Sequence, residues 1–254
     1  STQHGPRLKH FLKVIISCDD LATCALACRM DQTVGTRKLQ DLLAARFAPA
    51  HFLADQLRRP TGRSGRWIMT RSLNRGNAEL IDSSVDALQL GAEDTFLDLG
   101  FGGGRSLAIA ATRTNGPLWG IDYSGDVVLA GAARFAPLIR AGRMNLLCAD
   151  VHALPLRDAL CSAICSTNTI YFWSDPIRAL ANLQRVLKPG GRLSLGFSGA
   201  TKMQQFDRII QHGFTLYEPD KVETLLRGAG FQRIQTSALE GRTSRGDYVC
   251  LASK

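Results

Sequence analysis

Three aspartates lie where a carboxylate can bind a ligand. Each is near the end of a short apolar segment typical of a buried strand, or just after it. They are Asp98 in segment 95–99, Asp122 after segment 118–121 and Asp150 after segment 145–148. The carboxyl ends of parallel strands meet at one edge of a sheet, where open α/β sheets bind their ligands. The sequence therefore predicts one site with three carboxylates.

A glycine-rich loop follows Asp98, with the sequence Gly-Phe-Gly-Gly-Gly at residues 100–104. Glycine permits positive φ and close approach of a ligand to the backbone, and the N–H groups of the next helix point toward such a ligand. A dinucleotide fingerprint needs Gly-x-Gly-x-x-Gly, but its two frames end on Arg105 and Leu107. The spacing that does fit is acidic-x-Gly-x-Gly-x-Gly, through Asp98, Gly100, Gly102 and Gly104.

Asp122 lies about 20 residues past the glycine loop, the spacing that ribose recognition requires. A carboxylate accepts hydrogen bonds from both ribose hydroxyls, and bonds to charged groups contribute about 1.5–3 kcal/mol. A carboxylate at a helix N-terminus is the alternative interpretation, since it needs no ligand.

The glycine loop resembles that of the class I S-adenosylmethionine-dependent methyltransferases, closest to the ubiquinone/menaquinone-type and other small-molecule enzymes. The resemblance runs from about Asn77 to Ala252 and includes residues 148–155 and the helix, turn and strand at 175–193. One departure is Cys161-Ser162, where many members have an aromatic-Asp pair; it affects local packing more than cofactor binding.

The resemblance implies that S-adenosylmethionine is the cofactor. Asp98 would meet its ammonium, Asp150 would accept from the adenine amine, and Val151 would donate to the ring. The implied cofactor residues are Asp98, Gly100, Phe101, Gly102, Gly104, Asp122, Tyr123, Asp150, Val151 and Asn168.

The elements that must position these residues alternate between strands and helices from residue 94 onward. This pattern predicts a parallel sheet with helices on both faces. The last two strands, 231–237 and 248–252, are too close for a parallel crossover and must pair antiparallel. The resemblance implies a Rossmann-like α/β fold, its seven-stranded sheet mostly parallel with an antiparallel last strand.

The chain divides at residue 76 in this interpretation. Residues 1–76 form a helical N-terminal cap that includes a helix over 39–57, and residues 77–254 form the methyltransferase domain. Further helices are expected at 77–90, stopped by Gly91, and at 125–139. The polar segment 198–218 is a candidate substrate lid.

Methyl transfer from a sulfonium is an in-line displacement, for which alignment alone can contribute about 7–11 kcal/mol. A general base is needed only if the acceptor must lose a proton early. His152 and Tyr171 are the candidate catalytic residues, each with a purely structural role as the alternative. The candidate substrate contacts are Tyr171, Trp173, Arg71 and Asn74.

The chain of 254 residues has a net charge of +9 and seven cysteines. The charge motivates an alternative function, methylation of RNA or protein, and a non-catalytic cofactor-binding protein is a third. The chain lacks a basic aromatic platform, so we expect a small-molecule acceptor rather than nucleic acid. We expect no metal, no transmembrane segment, and a cytoplasmic protein with reduced thiols. The sequence leaves the oligomeric state open.

Overall fold

The computed structural model describes residues 49–62, 76–241 and 243–254. The strands are β1 (Phe96–Leu99), β2 (Leu118–Asp122), β3 (Met144–Cys148), β4 (Cys161–Thr167), β5 (Leu187–Ser198), β6 (Gln232–Ala238) and β7 (Asp247–Ser253). The helices are α1 (Ala50–Arg58), α2 (Ala78–Ala87), α3 (Arg105–Arg113), α4 (Gly125–Arg134), α5 (Ala136–Arg140), α6 (Pro176–Val186), α7 (Ala200–Met203), α8 (Asp207–Ile210) and α9 (Pro219–Gly228).

The seven strands form one sheet in the order β3-β2-β1-β4-β5-β7-β6. The first five strands pair in parallel, whereas β7 lies antiparallel between β5 and β6. The predicted fold class and the antiparallel last strand are therefore confirmed. This order brings the carboxyl ends of β1, β2, β4 and β5 to one edge, together with the first residue of β7.

Two apolar cores cover the two faces of the sheet. Alternate residues of a strand point to opposite faces, so Leu97 packs with α6 and α9 on one face while Phe96 packs with α2 and α3 on the other. All four residues of β1 are buried, including Asp98. A carboxylate in the middle of such a core must find a polar partner or a ligand.

Two helices differ from the prediction. The helix expected at 77–90 ends at Ala87, three residues before its expected end at Leu90, because Gln89 adopts a positive φ of 46°. The helix expected at 125–139 is two helices, α4 and α5, because Phe135 leaves the helical conformation and Pro137 lies in the first turn of α5. Only residues 50–57 of the helix expected at 39–57 fall among the described residues, and they form most of α1.

The turn predicted between the helix and the strand of segment 175–193 falls at residues 188–191, inside β5 rather than before it. The pairing with β4 shifts from Cys161–Leu187 to Ala163–Arg192, and Gly190 has a φ of 73°. These residues therefore form a bulge that lets the strand begin directly at the end of α6.

Candidate functional site

The glycine loop joins β1 to α3 with backbone angles that favour glycine. Gly100, Gly102 and Gly104 have φ values of 74°, 48° and 73°. A Cβ at Gly100 would collide with the Cγ2 of Thr169. The loop therefore lies against the loop after β4, and its glycines are required by backbone conformation as well as by space.

Asp122 ties the end of β2 to the glycine loop. Its Oδ2 accepts a hydrogen bond from the Gly102 amide at 3.0 Å, and its Oδ1 accepts one from the Ser124 amide at 2.9 Å. Burial raises the pKa of this carboxyl, while the backbone hydrogen bonds oppose that rise. Each carboxylate oxygen has a further lone pair, so ribose hydroxyls can still be bound.

Asp98 is buried, and its Oδ2 has no hydrogen-bond partner among the described residues. Burial raises its pKa to about 7, a hydrogen bond with Ser106 opposes this, and the charge of Asp122 adds to it. A buried carboxylate oxygen without a partner is costly. Because Asp98 lines the cleft, a cation bound there would relieve that cost.

Asp150 and His152 interact with each other at the end of β3. Asp150 Oδ1 accepts from the His152 amide at 2.8 Å and lies 2.5 Å from His152 Nδ1, while the Asp175 amide donates to His152 Nε2 at 3.2 Å. Partial burial raises the pKa of Asp150, but the hydrogen bonds and charge of His152 lower it overall. Within the described part of the chain both ring nitrogens are thus engaged, which favours a positioning role for His152 over the predicted role as a base.

Tyr171 is likewise held by the protein. Its hydroxyl lies 3.0 Å from Asn168 Oδ1 and 3.1 Å from the Ser198 carbonyl oxygen, and it accepts from the Ser198 amide at 2.5 Å. Burial raises the pKa of the Tyr171 phenol. The geometry supports anchoring of Asn168, which has a φ of 56°, rather than proton transfer by Tyr171.

The other predicted residues fall into three groups. Val151, Tyr123 and Trp173 line the cleft, and Tyr123 is half exposed. Phe101 turns its ring toward Gly120 and Gly131 in the core, so a ligand would meet mainly its backbone. The predicted contacts Arg71 and Asn74 lie outside the described residues, as do three of the cysteines, Cys18, Cys24 and Cys28.

A cleft of about 2290 Å³ extends from the glycine loop to segment 198–218. Ligand pockets for one small molecule are typically about 300–1,000 Å³, so this volume accommodates a cofactor and a second molecule. Arg58 of α1 donates to the Gly213 carbonyl at 2.9 Å, and Ser124 Oγ donates to the Pro60 carbonyl at 2.5 Å. The segment 50–62 therefore contacts both the predicted lid and the start of α4.

Sequence reasoning placed Ser198 and Lys202 in the candidate lid, but it assigned no role to either of them or to Asp247, which is buried behind them. Lys202 and Asp247 form an ion pair at 2.7 Å, and Ser198 Oγ donates to Asp247 at 2.5 Å. No motif links Asp247 to Ser198 and Lys202, which are far from it in sequence, and only the insertion of β7 beside β5 brings them together.

The edge of the sheet thus has the features of an adenosyl-ligand site in a Rossmann-like domain. The buried Asp98 oxygen fits an ammonium, the Asp122 oxygens fit ribose hydroxyls, and the positive-φ glycines leave the backbone free for close approach. The residues present therefore fit S-adenosylmethionine.

Comparison with known proteins agrees with this fit. Residues 97–195 match the family described as "Methyltransferase domain". The chain is 29% identical over 146 residues to an O-methyltransferase of Pyrenophora dematioidea, covering 55% of this chain and 54% of that protein. It is 34% identical over 114 residues to a malonyl-[acyl-carrier protein] O-methyltransferase of Marinomonas sp., covering 44% of this chain and 41% of that protein.

A solved structure, an S-adenosylmethionine-dependent methyltransferase of Aquifex aeolicus, has the same fold with a TM-score of 0.56 and 21% identity, covering 70% of this chain and 92% of that chain. Residues 97–195 therefore match the methyltransferase-domain family, and the chain has the fold of an S-adenosylmethionine-dependent methyltransferase. It spans about half the length of the curated relatives it matches. In the described part of the chain no helix is long and apolar enough to cross a membrane.

Proposed function

We propose that this protein transfers a methyl group from S-adenosylmethionine to a small-molecule acceptor. The observation that carries the proposal is the buried Asp98 Oδ2, which has no partner among the described residues and lines the same cleft as the glycine loop. Two of the similar proteins, an O-methyltransferase and a malonyl-[acyl-carrier protein] O-methyltransferase, support the same reaction class.

Each carboxylate has a separate task in this proposal. Asp98 binds the ammonium of the methionine portion, Asp122 holds the ribose hydroxyls while fixing the glycine loop, and Asp150 with the Val151 amide binds the adenine edge. When bound, S-adenosylmethionine supplies a methyl group already activated on a sulfonium sulfur. The chain itself has to orient the two molecules and exclude water.

The segments 50–62 and 198–218, which we call the cover of the cleft, serve to exclude water. Arg58 and Pro60 hold segment 50–62 between Gly213 and Ser124, so α1 and the predicted lid 198–218 close the cleft together. Asn168, fixed by Tyr171, borders the place where the methyl group would lie. The four described cysteines are free thiols, which supports the proposal of a cytoplasmic enzyme.

Isothermal titration calorimetry with S-adenosylmethionine, S-adenosylhomocysteine and NAD tests cofactor binding. We expect micromolar binding of the first two and none of NAD. Methyl-labelled S-adenosylmethionine is then incubated with small-molecule, RNA and protein fractions of a cell extract. Label in the small-molecule fraction supports the proposal, label in RNA or protein alone supports the alternative acceptor, and absence of binding to either adenosyl compound overturns the function.

A further inference from the structure

A second polar cluster lies at the same cleft as Asp98, where β5 ends and β7 begins. Lys202 Nζ lies 2.7 Å from Asp247 Oδ1 and donates to the Thr243 carbonyl at 3.0 Å. Ser198 Oγ donates to the same Asp247 oxygen at 2.5 Å. Ser198 and Lys202 line the cleft, whereas Asp247 is buried behind them. We name these three residues the Asp247 cluster.

The Asp247 cluster is close to the expected position of the transferred methyl group. The Tyr171 hydroxyl bridges Asn168 Oδ1 and the backbone of Ser198, and Thr169, next to Asn168, lies against Gly100. One side chain therefore separates Ser198 from the loop that borders the methionine end of the cofactor site. An acceptor bound on this side of the cleft would meet Ser198 and Lys202, which both line it.

An apolar wall lines the same cleft as the cluster. The rings of Phe172 and Phe214 meet edge to face with centroids 4.7 Å apart, and Phe214 lies 6.1 Å from the ring of Tyr171. Both phenylalanines and Met203 are only partly buried and line the cleft. Partly exposed aromatic faces in a cleft offer favourable contact to a flat apolar molecule.

Given the proposed function, we propose that the acceptor is a flat apolar molecule with an acidic hydroxyl, which packs on Phe172 and Phe214 and places its oxygen on Ser198 and Lys202. The hydroxyl proton passes to Ser198 Oγ as the Ser198 proton passes to Asp247 Oδ1, and the Lys202 ammonium holds the oxygen anion. A bond then forms between that oxygen and the methyl carbon, while the carbon–sulfur bond breaks and its electron pair stays on sulfur.

The proposed proton transfer leaves the total charge of the Asp247 cluster and the acceptor unchanged. A neutral acceptor binds to a neutral Lys202–Asp247 pair, and one carboxylate is neutralised as one oxygen anion forms. Among the described residues, the groups that face Asp247 are Lys202 from α7, Glu79 from α2, Ser198 from β5 and Tyr171. Burial raises the pKa of Asp247 and Glu79 raises it further, against Lys202 and Ser198, which makes Asp247 a better proton acceptor than an exposed aspartate.

The probe for this inference is 4-nitrophenol, whose anion is yellow, with its methyl ether 4-nitroanisole as the matched ligand that has no proton to lose. Both are titrated into the protein with and without S-adenosylhomocysteine. We expect about tenfold tighter binding of 4-nitrophenol than of 4-nitroanisole, and bound 4-nitrophenol to ionise about one pH unit or more below its value in solution.

Three variants separate the contributions. Asp247→Asn keeps the size of the side chain but cannot take a proton, so the proton that bound 4-nitrophenol loses should be released to the buffer instead of being retained by the protein. Ser198→Ala removes the hydroxyl that passes the proton and one hydrogen bond to the anion, so bound 4-nitrophenol should ionise closer to its solution value, and the variant leaves the backbone bonds to Tyr171 in place if Asp247→Asn does not fold. Lys202→Met should weaken binding of the anion about tenfold, the loss of one charged hydrogen bond.

The matched controls are Ser194→Ala, in the same strand with a buried hydroxyl lacking a partner among the described residues, and Lys221→Met, on the exposed surface of α9. Equal affinity for the two probes, or unchanged ionisation in Ser198→Ala, overturns the inference. Calorimetry with S-adenosylhomocysteine reports cofactor binding separately, so failure at the Asp247 cluster is distinguishable from failure of the proposed function.

Discussion

The Gly102 amide donates a hydrogen bond to Asp122 Oδ2 at 3.0 Å, which joins the glycine loop to the end of the neighbouring strand. Asp122 therefore shapes the loop before any ligand is present, and the same carboxylate faces the cleft. The two roles that the sequence left as alternatives, ligand binding and local structure, are compatible in one residue. Substitutions at this site should consequently change binding and stability together.

We expect Asp122→Ala to weaken S-adenosylhomocysteine binding at least tenfold and to lower the free energy of unfolding by about 1–3 kcal/mol, because two backbone amides lose their acceptor. Calorimetry and urea unfolding measure the two effects. Asp86→Ala, which removes an exposed carboxylate paired with Arg113, is the control and should change neither. Full affinity in Asp122→Ala would exclude the ribose role.

The affinity for S-adenosylhomocysteine should depend on pH through Asp98. Its pKa is raised to about 7 without ligand, and only the ionised carboxylate pairs with an ammonium. Affinity should therefore be greatest above pH 7 and fall toward tenfold per unit below it. Calorimetry across pH 5–8 measures this, and Asp98→Asn should bind more weakly with that dependence lost. An unchanged pH profile in the variant would assign the dependence to another group.

The same carboxyl should make the protein without ligand less stable at higher pH. A folded-state pKa above the ordinary 3.8 contributes stability that is present below 3.8 and is lost as the pH rises through about 7. Asp98→Asn removes that loss, so at pH 8 we expect its free energy of unfolding to exceed that of the wild type by about 1 kcal/mol or more. Urea unfolding at pH 5 and pH 8 measures the difference, which should shrink at the lower pH.

Gly100→Ala should destabilise the loop for two separable reasons. A non-glycine residue at a φ of 74° costs about 1–2 kcal/mol, and the added methyl meets the Cγ2 of Thr169. The double variant Gly100→Ala with Thr169→Ser removes that methyl of Thr169 and retains the hydroxyl that bonds Ser166. Thermal unfolding should show partial recovery in the double variant; no recovery would mean that the backbone angle accounts for the whole loss.

The cover should loosen when the bond from Arg58 to Gly213 is removed. Arg58→Met introduces an apolar side chain of similar length that cannot donate to the carbonyl. Backbone amides in 207–214 should therefore exchange with solvent faster. Hydrogen exchange followed by mass spectrometry measures this. Arg59→Met is the neighbouring control, since the Arg59 guanidinium lies over the Tyr123 ring at 5.2 Å instead. Equal exchange rates in both variants would show that the hydrogen bond from Arg58 to Gly213 does not hold the cover closed.

Local patterns explain why much of the cofactor site was predictable. The run from Phe96 to Gly104 encodes a buried strand, a carboxylate and a loop within nine consecutive residues, so its spacing fixes the geometry. The short link between the last two strands fixed their antiparallel pairing in the same way. Tertiary packing was needed to show that Phe135 interrupts α4 and that β5 begins with a bulge.

The sequence by itself determined the Rossmann-like sheet, the glycine loop and the three carboxylates, because neighbouring residues in the chain set backbone conformation and strand direction. Only the tertiary structure decided that the nitrogens of His152 face Asp150 and the start of α6, and that Tyr171 is buried against Ser198. It also assembled Ser198, Lys202 and Asp247, which share a carboxylate oxygen because β7 inserts beside β5. Side-chain partners across a sheet depend on which strands become neighbours, and no local spacing records that choice.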